Sequence, residues 1–437
     1  MRRPTVLVFR SNHFDHLWRR CWQERFQHAG KTFASYGDLE AWYVDENLQR
    51  CRDIPDYRFE LESAICLRAY LDRHPERAGE LRSLAQAGRF AVTAGGETIC
   101  DANLLLGETL VRNWLVGQRY VERILGSTSP LCVRNDAFGN SAQLPQVLRG
   151  FGLRWATGLS YSPVVGRYWR GLDGSTICVT ALPIAAHASS NRKYPPCPQC
   201  SGTGCPACDG RGIDAARFVP ALPATLPATG EQHGRASALA PTGPVGLDIE
   251  HVIGGKVPVF AEFNACMISC GPEEMLPEPA TALTAWIDGL RQTYDTHWAL
   301  RHEQLRWLQP LIDRADAPPA AELHPEVELN PNNTGCYVTR IRTKQQVRAQ
   351  EHRLLRLEAL ATLTGAVDAA AIEPIWQTVL YGVFHDAITG TSVDPAVAEL
   401  HRFLDANATR LDAVEQSVQA RLATRSAGTD GHHLINA

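Results

Sequence analysis

The chain has 437 residues, 44 % of them hydrophobic and 21 % charged, enough for a sizeable core and about two to three domains. Its net charge of −4 leaves no basic footprint for nucleic acid or an anionic membrane. No apolar stretch reaches the roughly 20 residues of a membrane span.

The N-terminus, Met1-Arg-Arg-Pro4, runs directly into strand-like sequence with no apolar leader and cleavage site, so the expected compartment is the cytoplasm. The 13 cysteines are an odd number. Four of them crowd together between Cys197 and Cys208 and the rest show no disulfide rhythm, which suits a reducing compartment with one metal-binding knot.

In chain order, Val6 to Phe9 reads as a buried strand. Glu62 to Tyr70 and Arg77 to Gln86 read as helices, the second closing at Gly88, and Asn103 to Ile124 as a third. Leu131 to Arg134 is a short strand, and Ser141 to Leu148 a helix in which Pro145 is tolerable near the first turn. Trp169 to Thr180 reads as a hairpin around Asp173-Gly174. Strands alternating with helices predict an α/β domain over residues 1–335 with a mostly parallel, barrel-like sheet. Residues 189–244 change composition and read as an inserted surface excursion. From Pro279 the pattern turns helical, apart from a loop between Ala317 and Gly335. Val397, Leu404, Leu411 and Val418 recur every seven residues, with Leu400 and Val414 between them and Asn407 as one polar break. With Thr339 to Leu363 and Glu373 to Ala387 as partners, residues 336–425 predict a three-helix bundle.

The chemistry begins after the first strand. His13 and Asp15 share one face if the chain stays extended, and they make half of a zinc site or, alternatively, a polar turn. Asp136 follows the strand at Leu131 in the same way, at the sheet edge where ligands collect; its other reading is a helix N-cap. His385 closes a helix, followed by Asp386 as a supporting partner; its other reading is a packing or dipole residue. Two histidines and two carboxylates would give a metal an N₂O₂ set suited to a polyol ligand. Trp18 is either core or an aromatic platform for a sugar ring.

These stretches, His13-Phe-Asp15, Asp136-Ala-Phe138-Gly and His385-Asp386-Ala-Ile-Thr-Gly-Thr391, resemble the signatures of glycoside hydrolase family 38, the zinc-dependent retaining α-mannosidases. The resemblance implies a catalytic Zn²⁺ held by His13, Asp15, Asp136 and His385, with Asp136 also the nucleophile of a double displacement. It implies that zinc grips the sugar 2- and 3-hydroxyls, and it places Trp18, Phe138 and Asp386 among the substrate-binding residues. The acid/base candidate is Glu328, with Glu326 and Asp386 as alternatives. Asn140 departs from the histidine common at that position in the family.

Cys197-x-x-Cys200 and Cys205-x-x-Cys208, each followed by x-Gly-x-Gly, supply four thiolates for a structural Zn²⁺. They resemble the zinc repeats of the DnaJ family, from which metal binding alone is carried over. Family 38 members continue through large β-sandwich domains. Residues 426–437 read as the entry to such a region, so a β-domain partner or an oligomer is expected to complete the molecule. The leading expectation is a cytoplasmic α-mannosidase acting on an α-mannoside or oligosaccharide. The alternatives are a deacetylase-like zinc hydrolase of carbohydrate, and a truncated, inactive sugar-binding protein.

Overall fold

A computed structural model describes residues 5–28, 31–157, 159, 168–180, 184–185, 199, 259–260, 265–270, 288, 291–292, 295–299, 309–320, 323–324, 329, 334–364 and 369–426. The cysteines Cys197, Cys200, Cys205 and Cys208, nearly all of the 189–244 insert, Glu326, Glu328 and residues 427–437 lie outside the described residues.

The fold is a mixed α/β structure organised by β1 (Thr5–Asn12). After it come the hairpin β2 (Phe26–His28) and β3 (Lys31–Phe33), α1 (Tyr36–Asp53), β4 (Phe59–Leu61), α2 (Ala64–Arg73) and α3 (Ala78–Gln86). Next are β5 (Phe90–Val92), α4 (Gly107–Leu125), β6 (Leu131–Val133), α5 (Leu144–Gly150), β7 (Trp155–Thr157), β8 (Tyr168–Arg170) and β9 (Thr176–Thr180). Four further short strands are β10 (Ile184–Ala185), β11 (Val259–Phe260), β12 (Ala265–Cys270) and β13 (Asp295–Ala299). After β14 (Leu323–His324) the chain is helical: α6 (Ile341–Thr364), α7 (Ala369–Gly382), α8 (His385–Thr389) and α9 (Asp394–Ser426).

One sheet runs β10-β12-β1-β4-β5, with β13 also paired to β1; all of these pairings are parallel, while β11 joins β12 antiparallel. The second runs β14-β8-β9-β7-β6 and is parallel except for the β8–β9 hairpin. The sheets meet where Ala94, just past β5, donates to the Leu131 carbonyl in β6 at 2.8 Å. The carboxyl ends of β1, β4, β5 and β6 therefore follow one another along the joined sheets. Trp114, on α4, seals that junction from behind: it is fully buried and its indole N–H donates to the Ala94 carbonyl at 2.8 Å.

The hairpin forms, but residues 171–175 connect its strands in place of a two-residue turn at Asp173-Gly174, with Gly174 at φ 86° in the left-handed region. Several boundaries differ from the sequence reading. The helix expected from Glu62 begins at Ala64, and Glu62 lies at the carboxyl end of β4. The helices expected from Asn103 and Ser141 begin at Gly107 and Leu144, because the intervening residues form turns; the Ser141 carbonyl accepts from Leu144 N–H at 2.8 Å. Helix α1, for which the sequence reading made no assignment, carries polar residues over much of its length and buries Leu39, Tyr43, Val44 and Leu48. The helical pattern expected from Pro279 is interrupted by β13, held as a strand by its parallel register with β1, Thr5 opposite Asp295 through Phe9 opposite Ala299.

Helices α6, α7 and α9 pack on one another along the seven-residue seam. Leu404 and Leu411 are fully buried, and Asn407 donates to the Gln350 side chain on α6 (2.8 Å) and to the Ile375 carbonyl on α7 (3.0 Å). The amide nitrogen of the polar break is therefore satisfied while its Oδ1 is buried without a partner, and the two bonds tie three helices in one register. The helical region then grips the α/β layer. Trp22 and Gln23 backbone N–H groups donate to Glu399 at 2.6 and 3.2 Å, and Ser392 donates to the Leu17 carbonyl at 2.7 Å.

Candidate metal centre

Four side chains separated by up to 372 positions converge at the carboxyl ends of β1 and β6. His13 and Asp15 leave β1, Asp136 leaves β6, and His385 reaches over from α8. One ligand atom from each lies within 4.8 Å of the others. Asp15 Oδ1 sits 3.1 Å from His13 Nε2 and 3.2 Å from His385 Nε2; Asp136 Oδ2 is 3.7 and 3.8 Å from the same two nitrogens.

Both imidazoles are aimed. His13 Nδ1 lies 2.7 Å from Glu62 Oε2, and Glu62 is held in turn by the Asn135 amide, which donates to its Oε1 at 2.6 Å. His385 Nδ1 lies 3.0 Å from the Ile99 carbonyl. A carbonyl and a carboxylate only accept, so Nδ1 carries the proton in each neutral ring, and each Nε2 presents its lone pair to the cluster. Two lone pairs facing carboxylate oxygens at about 3 Å repel unless a proton or a cation lies between them. Consistently, His13 Nε2, His385 Nε2 and both Asp15 oxygens are buried with no hydrogen-bond partner. A divalent cation would satisfy all four atoms at once, and nitrogen and oxygen donors in this number suit zinc. The residues present therefore fit a metal ion.

The electrostatics say the same for the metal-free chain. Burial pulls the His13 imidazole down, but the Asp15 and Glu62 carboxylates outweigh it and hold it well above its ordinary value. His385 is likewise raised, against burial, by Asp15, Asp386 and Asp136. Burial pushes the other way on Asp15, yet His13 and His385 hold it well below the usual carboxylate range. Asp386, 3.6 Å from His385 Nε2, is pushed up to about 7 by burial, with Asp15 and Asp136 adding to the shift.

Asp136 stands apart from the other three. It is 23 % exposed where they are at most 4 %, so a ligand approaches the cluster from its side. Its backbone sits at φ 61°, the left-handed region that a non-glycine residue rarely occupies. That turn swings the carboxylate toward the two imidazoles. Gly139, three residues on, is crowded by the side-chain tips of Tyr337, Asp101 and Asn103, which a Cβ there would have to displace.

The other expected residues fall as follows. Phe138 is buried with its ring edge-on to His385, centroids 5.9 Å apart. Trp18 is half-buried and carries the Arg19 guanidinium 3.8 Å over its ring. His385 opens α8 rather than closing the preceding helix, because Phe384 takes an extended conformation and bridges to Cys100. Asn140 is buried and accepts from Arg134 Nε at 3.0 Å, a structural bond behind the site. The sequence reading missed Glu62, Asn135 and the Ile99 carbonyl. Glu62 follows β4 as Asp15 follows β1, a positional signal that would have found it; Ile99 acts through its backbone and leaves no signal.

Paired, aimed imidazoles and two carboxylates at the ends of parallel strands define an α/β chain with a mixed nitrogen and oxygen cluster that could hold a cation. Residues 5–216 match the family model for the glycosyl hydrolases family 38 N-terminal domain, and residues 332–422 that for the alpha mannosidase middle domain. The chain belongs to glycosyl hydrolase family 38. It is 24 % identical over 411 residues to human alpha-mannosidase 2C1, covering 89 % of this chain and 33 % of that protein. It is 30 % identical over 173 residues to alpha-mannosidase G of Dictyostelium discoideum, covering 38 % of this chain and 15 % of that one. The chain thus spans a third or less of the length of these relatives. In fold it is similar to the crystal structure of an alpha-mannosidase from Enterococcus faecalis V583, with a TM-score of 0.67 and 17 % identity over 96 % of this chain and 43 % of that one. Among the described residues no helix is long and apolar enough to cross a membrane.

Proposed function

We propose that the chain is the catalytic region of a zinc-dependent, retaining α-mannosidase. The observation that carries this reading is the pair of Nε2 lone pairs, each fixed by an acceptor on Nδ1, facing Asp15 and the half-open Asp136. Zinc held by His13, Asp15, Asp136 and His385 would supply a Lewis-acid grip on two adjacent sugar hydroxyls.

The chain's own residues do the rest. Asp136, with its carboxylate at the open side of the cluster and held below the usual carboxylate range against burial by His13 and His385, is ionised and serves as the nucleophile toward the anomeric carbon. Phe138 and Phe384 pack against His385 and exclude water behind it. The proton for the departing oxygen is assigned to Glu328. That residue's neighbour Leu329 exchanges both backbone hydrogen bonds with Asn140, at 2.8 and 2.9 Å, four positions past the nucleophile. Asp386, pushed up to about 7, is the second carboxyl suited to proton transfer near neutrality. Helices α6, α7 and α9 serve as a three-helix bundle whose task is to deliver His385, and Cys197, Cys200, Cys205 and Cys208 hold a structural zinc in the insert.

The test is a nitrophenyl α-mannoside as substrate together with a 2- or 5-fluorinated mannoside as trap. The reading expects nitrophenol release and a covalent sugar on Asp136. Carbohydrate de-acetylation with an unlabelled Asp136 would replace it with the deacetylase, and mannoside binding without release of the aglycone would replace it with a sugar-binding protein.

A further inference from the structure

Immediately beside the first centre, three more potential ligands meet in the core. His16, one residue past Asp15, lies between Glu40 on α1 and Cys66 on α2. Its Nδ1 is 3.8 Å from Glu40 Oε2 and its Nε2 is 3.8 Å from Cys66 Sγ. One ligand atom from each residue lies within 4.8 Å of the other two, and all three residues are at most 3 % exposed. Outside the Cys66 thiol, which belongs to the cluster, neither Glu40 oxygen has a hydrogen-bond partner, and His16 Nδ1 has none either.

A buried carboxyl group whose oxygens meet no partner beyond the cluster is costly in a folded chain, because it forfeits hydration with little replacement. Packing does not require it here: a glutamine or leucine of similar size would fill the α1 position. The donor types also have a direction. An imidazole nitrogen, a thiolate sulfur and a carboxylate oxygen form a set that prefers a borderline-soft divalent ion over magnesium or calcium. In a tetrahedral zinc site with bonds of about 2.0–2.3 Å, neighbouring ligand atoms lie roughly 3.3–3.7 Å apart. The two 3.8 Å contacts fall on different ring nitrogens of His16, of which one ion takes only one, so the spacing that bears on a shared ion is the 4.8 Å within which one ligand atom of each residue lies. The Trp22 ring packs edge-on against His16, centroids 5.2 Å apart, and also lines an open cleft of about 410 Å³.

We propose that His16, Glu40 and Cys66 form a second divalent-cation site, taking Zn²⁺ or Co²⁺, distinct from the centre at His13, Asp15, Asp136 and His385. The ion would tie the segment after β1 to α1 and α2. Because that segment also carries His13 and Asp15, the second ion braces the first centre from behind without touching a sugar.

The experiment is elemental analysis and native mass spectrometry of the full chain after zinc loading and dialysis, comparing the parent with Cys66→Ala, Glu40→Gln, His385→Ala and the Cys66→Ala/His385→Ala pair. Glu40→Gln preserves side-chain volume, so a failure to fold by Cys66→Ala cannot decide the outcome alone. The expected result is one zinc equivalent lost in Cys66→Ala and in Glu40→Gln, a different one lost in His385→Ala, and two lost in the pair. With Co²⁺, the thiolate charge-transfer band should fall in Cys66→Ala and persist in His385→Ala. Unchanged zinc in both Cys66→Ala and Glu40→Gln would overturn the second site, whereas loss in those two with no loss in His385→Ala would uphold it and remove the first.

Discussion

Glu62 Oε2 accepts from His13 Nδ1 at 2.7 Å, and this contact, made across 49 positions, fixes which nitrogen of the ring faces Asp15 and Asp136. A carboxylate behind a ligating histidine sets its tautomer and raises its basicity. Glu62→Gln should therefore weaken zinc affinity by about 10–100-fold while the fold persists. Competition with a chromophoric chelator measures it, and an unchanged affinity would mean that His13 is not a ligand.

Asp136 combines a left-handed backbone with a carboxylate facing both imidazoles. Asp136→Asn keeps the shape and removes the charge, so mannoside hydrolysis should drop by at least about 10³-fold. Retention of more than a tenth of parental kcat would exclude Asp136 as nucleophile.

The acid assignment separates by leaving group. Glu328→Gln should slow substrates with poor leaving groups by about 10²–10⁴-fold and nitrophenyl mannosides far less. If Asp386→Asn shows that split and Glu328→Gln does not, the proton comes from Asp386.

In the metal-free chain His13 and His385 are raised above their ordinary values, so near neutrality they hold protons that a cation must displace. Zinc affinity should climb as pH rises from the ordinary histidine value through the raised one, with proton release visible calorimetrically in buffers of different ionisation enthalpy. The same shifts govern the stability of the metal-free chain. The contribution of the raised imidazoles is full below the ordinary histidine value and is lost as pH rises through the raised one. That of Asp15, held low by the histidines, is full above the ordinary carboxylate value and is lost as pH falls through the depressed one. A pH-independent affinity over this range would contradict the protonation pattern.

Asn407→Leu would leave the Gln350 side-chain oxygen without its Asn407 donor inside the helical seam, while the Ile375 carbonyl keeps its place in the α7 ladder. An unsatisfied buried acceptor costs about 1–3 kcal/mol, so the denaturation midpoint should fall despite the added apolar surface. A midpoint equal to or above the parent's would show that the polar break carries no structural bond.

How much of this was legible in the sequence follows from the range of each interaction. His13, Asp15 and Asp136 were readable because each sits just past a strand, so local spacing alone points them to one sheet edge. His385 was readable from its motif and mistaken only in its place on the helix, since the break at Phe384 depends on pairing with Cys100. The seam of α9 was readable in full, with Asn407 correctly standing out. Glu62 was misplaced into a helix, and the Ile99 carbonyl lies 286 positions from the ring it orients. Strand β13 was read within a helical stretch because its five residues owe their conformation to β1 rather than to their own pattern.

The account rests on one cation shared by two distant parts of the chain. Anomalous diffraction at the zinc edge from zinc-loaded crystals tests it most directly. A peak within bonding distance, about 2.0–2.2 Å, of His13 Nε2, His385 Nε2, Asp15 and Asp136 is the predicted result. Zinc elsewhere in the chain with no peak among these four atoms would contradict it.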